Sequence, residues 1–114
     1  MNTFQMIFFS SGDHYPITDV IRTFSPRQRA KVLKLFERIE QLGVVHTNPY
    51  IKKVSNTPIW EARILGKDNI RVFFVHAKNN SIVMLHIFMK KTEKTPTREI
   101  DLALKRYSSI LTIS

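Results

Sequence analysis

The amino-acid sequence predicts an α+β fold, a two-layer sandwich in which helices pack on one face of a mostly antiparallel four-stranded sheet. Two long segments carry apolar residues at helical spacing, and they begin at Ser25-Pro26 and Thr95-Pro96. Between them, residues 59–91 contain three apolar runs separated by turn-forming residues, which is typical of an antiparallel meander. The predicted order is β-α-α-β-β-β-α, in one domain that spans residues 1–114.

The first element is a strand within the apolar segment that ends near Phe9. Both alternations of this segment are largely apolar, so we expect a strand that is central in the sheet or covered on both faces. A short helix follows, with Pro16 in its first turn and apolar residues at helical spacing up to Phe24.

The second helix is predicted from Ser25-Pro26, an N-cap followed by proline at the first helical position, to Gly43. Its outer face is strongly basic. Arg27 and Arg29 lie in its first turn, where positive charge opposes the helix dipole, and this makes them candidates for RNA binding. The alternative is an ordinary solvated helix face.

Residues 44–58 contain two prolines and several polar groups, and they are predicted to form a loop that carries Lys52 and Lys53 past the sheet. Three strands are then expected over residues 59–65, 70–76 and 82–91. The last helix is predicted to start at Thr95-Pro96, and its apolar stripe packs on the sheet.

The composition restricts the class of protein. A net charge of +9 with a pI near 10.2 favours a polyanionic partner, nucleic acid first, then an anionic membrane or an acidic protein. The chain contains no cysteine, which excludes disulfides, thiolate zinc sites and cysteine nucleophiles and is compatible with the cytoplasm. We find no signal-peptide pattern, and the longest apolar run is too short to span a membrane.

Basic residues on the strands are the main candidates for chemistry. Arg63 shares a strand face with Glu61, and Arg71 lies in a strand that is otherwise apolar, where a guanidinium is costly to bury without an anion. The alternative for Arg71 is a salt bridge to Glu61 on the neighbouring strand. Lys90 and Lys91 end the last strand and Lys94 follows, so these lysines can surround a phosphate together with Lys52 and Lys53.

Other kinds of site have less support. His86 shares its alternation with Lys90 and can transfer a proton near neutral pH, although a hydrogen-bonded core histidine is the more common interpretation. The histidines show no metal-ligand spacing, the acidic residues are scattered, and there is no Gly-rich phosphate loop. We therefore predict no metal and no cofactor.

A metal-free reaction on RNA is compatible with such a set of residues. The 2′-hydroxyl of RNA can attack the adjacent phosphate, and the protein then has to stabilise negative charge and manage protons. Arginine and lysine can supply the charge. DNA lacks this internal nucleophile, so the reaction is restricted to RNA.

Several motifs resemble the RelE/HigB-like toxin superfamily, and specifically its phage-related branch. They are Trp60-Glu61-Ala62-Arg63, Ile70-Arg71-Val72-Phe73-Phe74, and the string Leu85-His86-Ile87-Phe88-Met89-Lys90-Lys91-Thr92-Glu93-Lys94-Thr95-Pro96, followed by Glu99 and Ala103-Leu104-Lys105-Arg106. The similarity extends from about Pro16 to Leu111.

This resemblance implies the toxin of a type II toxin–antitoxin pair, which cleaves mRNA in the ribosomal A site and is neutralised by an antitoxin that often carries a helix-turn-helix domain. By motif position, Arg63, Arg71 and one of Lys90 and Lys91 bind and activate the scissile phosphate. Some relatives place a tyrosine near the phosphate, where this chain has Ile100, so the general acid is unassigned. The alternative is a non-catalytic module of the same fold that binds nucleic acid or a regulatory protein.

Overall fold

A computed structural model describes residues 4–43, 50–64 and 66–113. Along the chain, the strands and helices are β1 Gln5–Phe8, α1 Pro16–Arg22, α2 Pro26–Leu42, β2 Ile51–Lys53, β3 Trp60–Ile64, β4 Ile70–Ala77, β5 Ser81–Met89 and α3 Thr97–Ile113. The strands form one open sheet with the strand order β1-β5-β4-β3-β2. The pair β1 and β5 is parallel, and the other pairs are antiparallel.

The α+β class is confirmed, but the four-stranded sheet is wrong, because part of the predicted loop forms a fifth strand. Strand β2 pairs with β3, with Lys52 opposite Glu61 and Lys53 opposite Trp60. It has three residues, two of them lysines at the edge of the sheet, so it lacks the apolar alternation that identifies a strand. Residues 44–49 of that predicted loop lie outside the described residues.

The position predicted for the first strand is also wrong. Strand β1 lies at an edge of the sheet, where its pairing with β5 leaves its other side without a neighbouring strand among the described residues. Gln5 and Ile7 are exposed, and Ile7 keeps 41% of its surface accessible. The apolar alternation therefore reflects contacts of Phe4, Met6 and Phe8 with the core on one side only.

Helices cover both faces of the sheet, which contradicts the prediction of helices on one face. Residues from α1 and α2, including Ile17 and Phe36, pack on one face, whereas Ala103 of α3 packs with Phe73 and Val75 on the other. The reason lies in β4 and β5, which are apolar on both faces and buried along nearly their whole length. Such strands need cover on both sides.

A register shift between Phe73 and Phe74 sets the direction of the side chains near the end of β5. Phe73 pairs with His86 and Phe74 with Met84, so Leu85 is an additional residue in β5, as in a β-bulge. Beyond it, His86 and Phe88 lie on the same face as Phe73 and Arg71. This is the face that α3 covers.

The predicted helix boundaries are largely correct. Ser25 caps α2 in a capping box with Gln28, and Gly43 ends the helix with a φ of 66°. Helix α3 begins at Thr97, just after the predicted start at Thr95-Pro96, and the Thr95 hydroxyl donates to Glu61 Oε2 at 3.4 Å. No helix in the described ranges is long and apolar enough to cross a membrane.

Candidate functional site

A buried carboxylate organises the charged residues on the α3 face of the sheet. Glu61 of β3 lies between Lys52 and Arg71, with Oε1 3.6 Å from Lys52 Nζ and Oε2 3.5 Å from Arg71 Nε. The side chains of Glu61 and Arg71 are 5% and 10% exposed, while that of Lys52 is 70% exposed. The salt bridge considered as an alternative for Arg71 is therefore present.

Arg71 also lines a cleft at the end of β5. The cleft has a volume of about 340 Å³, and its wall includes Asn69, Lys90, Lys91 and Glu93. Three cationic residues, Arg71, Lys90 and Lys91, thus line the cleft together with one acidic residue, Glu93. The ion pair with Glu61 involves Nε of Arg71, so the residue that lines the cleft is also the one that pairs with the buried carboxylate.

Both lysines of the adjacent pair reach this cleft, but from different positions. Lys90 is half-buried and its N–H donates to the Asn69 carbonyl at 2.8 Å, whereas Lys91 is exposed. Lys90 continues the alternation of His86 and Phe88, and Phe88 pairs with Arg71. The backbone therefore holds Lys90 on the face of Arg71, and Lys91 completes the rim of the cleft.

Arg63 does not join Arg71 at Glu61, although the two arginines are paired across β3 and β4. Its guanidinium carbon lies 5.8 Å from the centre of the Tyr50 ring. Arg63 and Tyr50 line a separate cleft with residues of α2. Like charges directly opposite each other in a sheet repel, and here each guanidinium has a partner of its own, Tyr50 for Arg63 and Glu61 for Arg71.

The remaining predicted RNA-binding residues are dispersed. Lys53 points to the face opposite Lys52, because successive strand residues alternate, and its Nζ lies 4.8 Å from the Trp60 ring centre. Lys94 is exposed in the connection to α3, where its carbonyl accepts from the Thr92 hydroxyl. Arg27 and Arg29 lie in the first turn of α2, exposed and half-buried respectively, and neither lines the cleft at Arg71.

His86 is enclosed beneath α3 and is 8% exposed. Its ring stacks on Phe88 at 5.2 Å, and its Nε2 lies 3.2 Å from Glu99 Oε1. Nδ1 lies 3.4 Å from Nη1 of Arg106, which can only donate, so Nδ1 accepts and Nε2 carries the proton. Burial lowers the pKa of His86, Glu99 offsets part of that effect, and Arg106 lowers the pKa further.

Arg106 is a second organising residue, one that the residue patterns did not predict. Its Nη1 donates to the Leu85 carbonyl at 2.7 Å, at the additional residue of the bulge, and its guanidinium lies 5.4 Å from the Phe9 ring centre. It thus joins α3 to β5 where the strand ladder is interrupted. The available signal was a basic residue three positions after Ala103, on the apolar face of α3.

Within the described residues, no group of three or more His, Asp or Glu side chains is arranged to hold a metal ion. His76 is the second-last residue of β4, and burial of part of its ring and the nearby Lys53 lower its pKa. Neither His76 nor His86 lines the cleft that Arg71 shares with Lys90 and Lys91.

The fold and the site together define a small basic α+β protein with a cationic cleft at the end of a sheet strand. The chain belongs to the Gp49-like family of phage-derived proteins (DUF891), whose family model matches residues 19–108. This family is associated with the toxins of toxin–antitoxin systems. No curated protein matches the chain.

Proposed function

We propose that this protein is the toxin of a type II toxin–antitoxin system, of the RelE/HigB-like kind, and that it is a ribosome-dependent, metal-independent mRNA endoribonuclease of the cytoplasm. The observation that supports this proposal most directly is the cleft in which Arg71, Lys90 and Lys91 converge. The family, with its association with toxins, and the net charge of +9 point in the same direction.

In the proposed reaction the ribose 2′-oxygen forms a bond to the adjacent phosphorus, and the bond from phosphorus to the 5′-oxygen of the next nucleotide breaks. The proton of the 2′-hydroxyl leaves to a base, and the 5′-oxygen gains a proton. The products are a 2′,3′-cyclic phosphate and a 5′-hydroxyl end. Because the phosphate gains negative charge as the 2′-oxygen attacks, fixed cations next to it lower the barrier.

The residues of the site have distinct roles in this proposal. Arg71 and the ammonium groups of Lys90 and Lys91 hold the phosphate, and Glu61 fixes the position of Arg71 through the contact at 3.5 Å. An ammonium group in the cleft can also protonate the departing 5′-oxygen. His86, which is enclosed between Phe88, Glu99 and Arg106, supports the position of α3 against β5.

Induced expression of the chain, followed by primer extension on cellular mRNA, tests the proposal. We expect growth arrest with new mRNA ends, and we expect Lys90→Ala with Lys91→Ala to reduce cleavage about 100-fold or more, the usual effect of removing fixed charge stabilisation. Both lysines are outside the core, so this variant leaves the fold intact. Lys78→Ala with Lys105→Ala, two exposed lysines elsewhere, is the charge-matched control.

Intact mRNA after expression of the folded wild-type chain would contradict the proposal, as would equal loss of cleavage in the charge-matched control. The ribosome requirement is tested by incubating the purified chain with mRNA in the presence and absence of ribosomes. Cleavage of free mRNA at the same rate would remove ribosome dependence from the proposal.

The ion pair between Glu61 and Arg71 favours a second candidate, a non-catalytic module that binds nucleic acid or a regulatory protein. In this case Arg71 is a structural residue whose charge is neutralised by Glu61. This second candidate predicts that the protein binds RNA or a protein partner without producing new mRNA ends. The same primer extension therefore distinguishes the two candidates.

The proposed partner of the toxin is an antitoxin with a helix-turn-helix domain, encoded next to it. A net charge of +9 favours a partner with an acidic segment. Co-expression of the adjacent reading frame should restore growth, and the two proteins should copurify. Continued arrest in the presence of the adjacent protein would count against this partner.

A further inference from the structure

Helix α2 carries a straight stripe of positive charge that the proposed cleavage reaction does not use. The stripe consists of Arg27, Lys31, Lys34 and Arg38, spaced by four, three and four residues. At 3.6 residues per turn, these positions fall within about 60° of one another around the helix and span about 16 Å along it. Lys31 is half-buried and the other three are exposed.

The stripe borders the cleft next to Arg63, which has a volume of about 250 Å³. The cleft is lined from α2 by Lys31, Lys34, Leu35 and Arg38, from β3 by Arg63 and Ile64, and by Tyr50, which precedes β2. In the described part of the chain, no carboxylate oxygen forms a salt bridge with the four stripe residues or with Arg63. Five cations thus lie around one surface, and among the described residues none of them is in a salt bridge.

The arrangement of these five cations favours one kind of polyanion over the others. Double-helical RNA is recognised through its shape and its backbone, and a rigid row of cations suits phosphates in fixed positions. A protein partner normally also needs apolar anchors. At this cleft the apolar residues are Tyr50 and the half-buried Leu35 and Ile64, whereas the four residues of the stripe, which extends about 16 Å along α2, are all charged.

We infer that the α2 stripe and Arg63 form a second RNA-binding surface, which takes the phosphates of a double-helical RNA while the cleft at Arg71 takes the single strand that is cleaved. This inference rests on the proposed function, and it assigns a separate surface to docking on structured RNA such as that of the ribosome. Docking and cleavage then depend on different residues of one chain.

Binding of the full-length chain to a blunt-ended double-stranded RNA, measured by fluorescence anisotropy over a series of salt concentrations, tests the inference. For Lys34→Gln with Arg38→Gln we expect at least ten-fold weaker binding. In a plot of the logarithm of the binding constant against the logarithm of the salt concentration, we expect the slope to become less steep by about 2, since each lost phosphate contact removes about 0.9. Lys78→Gln with Lys105→Gln removes the same charge from other surfaces, and its slope should stay close to that of the wild type. Circular dichroism confirms that both variants are folded.

Equal effects of the two double variants would overturn the inference, because binding would then reflect net charge alone. Unchanged duplex binding by Lys34→Gln with Arg38→Gln, together with loss of binding to the adjacent-frame protein, would overturn it in favour of a protein partner. The result is independent of the proposed cleavage: a wild-type chain that binds the duplex through the stripe but leaves mRNA intact would refute the nuclease and retain the surface.

Discussion

Replacement of Arg71 by methionine should lower the free energy of unfolding by about 3 kcal/mol, because it leaves the carboxylate of Glu61 buried without its nearest partner. Removal of one member of a buried ion pair costs roughly 3–5 kcal/mol. Two features place this pair near the lower limit. The contact of 3.5 Å is longer than an optimal charge-assisted hydrogen bond, and Lys52 remains 3.6 Å from the carboxylate.

The assay is urea unfolding followed by circular dichroism, for the single variants and for a double variant. Glu61→Gln should lower the free energy of unfolding by about 2 kcal/mol, since the amide keeps part of the hydrogen bonding. The double variant with Arg71→Met should lower it by about 3 kcal/mol, less than the sum of the two single effects, because the two residues interact with each other. Lys52→Met should cost less than about 1 kcal/mol, because its side chain is 70% exposed. Additive effects of Glu61→Gln and Arg71→Met would refute the buried pair.

Two further variants test other parts of the structure. Burial lowers the pKa of His86 from 6.5, so the free energy of unfolding should fall as the pH decreases below 6.5. In urea unfolding at several pH values, His86→Gln should make this pH dependence weaker. An unchanged pH dependence would show that another group titrates, for example His76. Gly43→Ala should lower the free energy of unfolding by about 1–3 kcal/mol more than Gly12→Ala, as measured by thermal unfolding. Both glycines have a positive φ, but a Cβ on Gly43 would lie 2.5 Å from the Phe4 ring. Equal effects of the two substitutions would show that the ring moves aside.

Local signals in the sequence predicted most of the elements. The capping box at Ser25 and the glycine at position 43 delimit α2, and the turns after β3 and β4 delimit the hairpins. These features depend on neighbours a few residues away, which a sequence displays directly. Strand β2 has no such signal, because its two lysines form a strand only where β3 offers an edge.

The sequence predicted which residues contribute to the candidate site, but it did not predict which of them lie together. Arg71, Lys90 and Lys91 line one cleft, while Arg63 lies in another and Lys53 points to the opposite face. The position of Glu61 between Lys52 and Arg71 depends on the register of three strands, which local patterns do not specify. The bulge at Leu85, which reverses the alternation along β5, was likewise not apparent from residue spacing.

By itself, the sequence determined the class of fold, the helix boundaries, the excess of positive charge and the residues from which a phosphate site can be built, because these properties follow from composition and short-range spacing. The tertiary structure alone decided that β1 lies at an edge, that α3 covers the face opposite α2, and that the cations divide between two clefts. The physical reason is that β4 and β5 are apolar on both faces. They require cover on each side, and the packing of the helices then determines which charged side chains can meet.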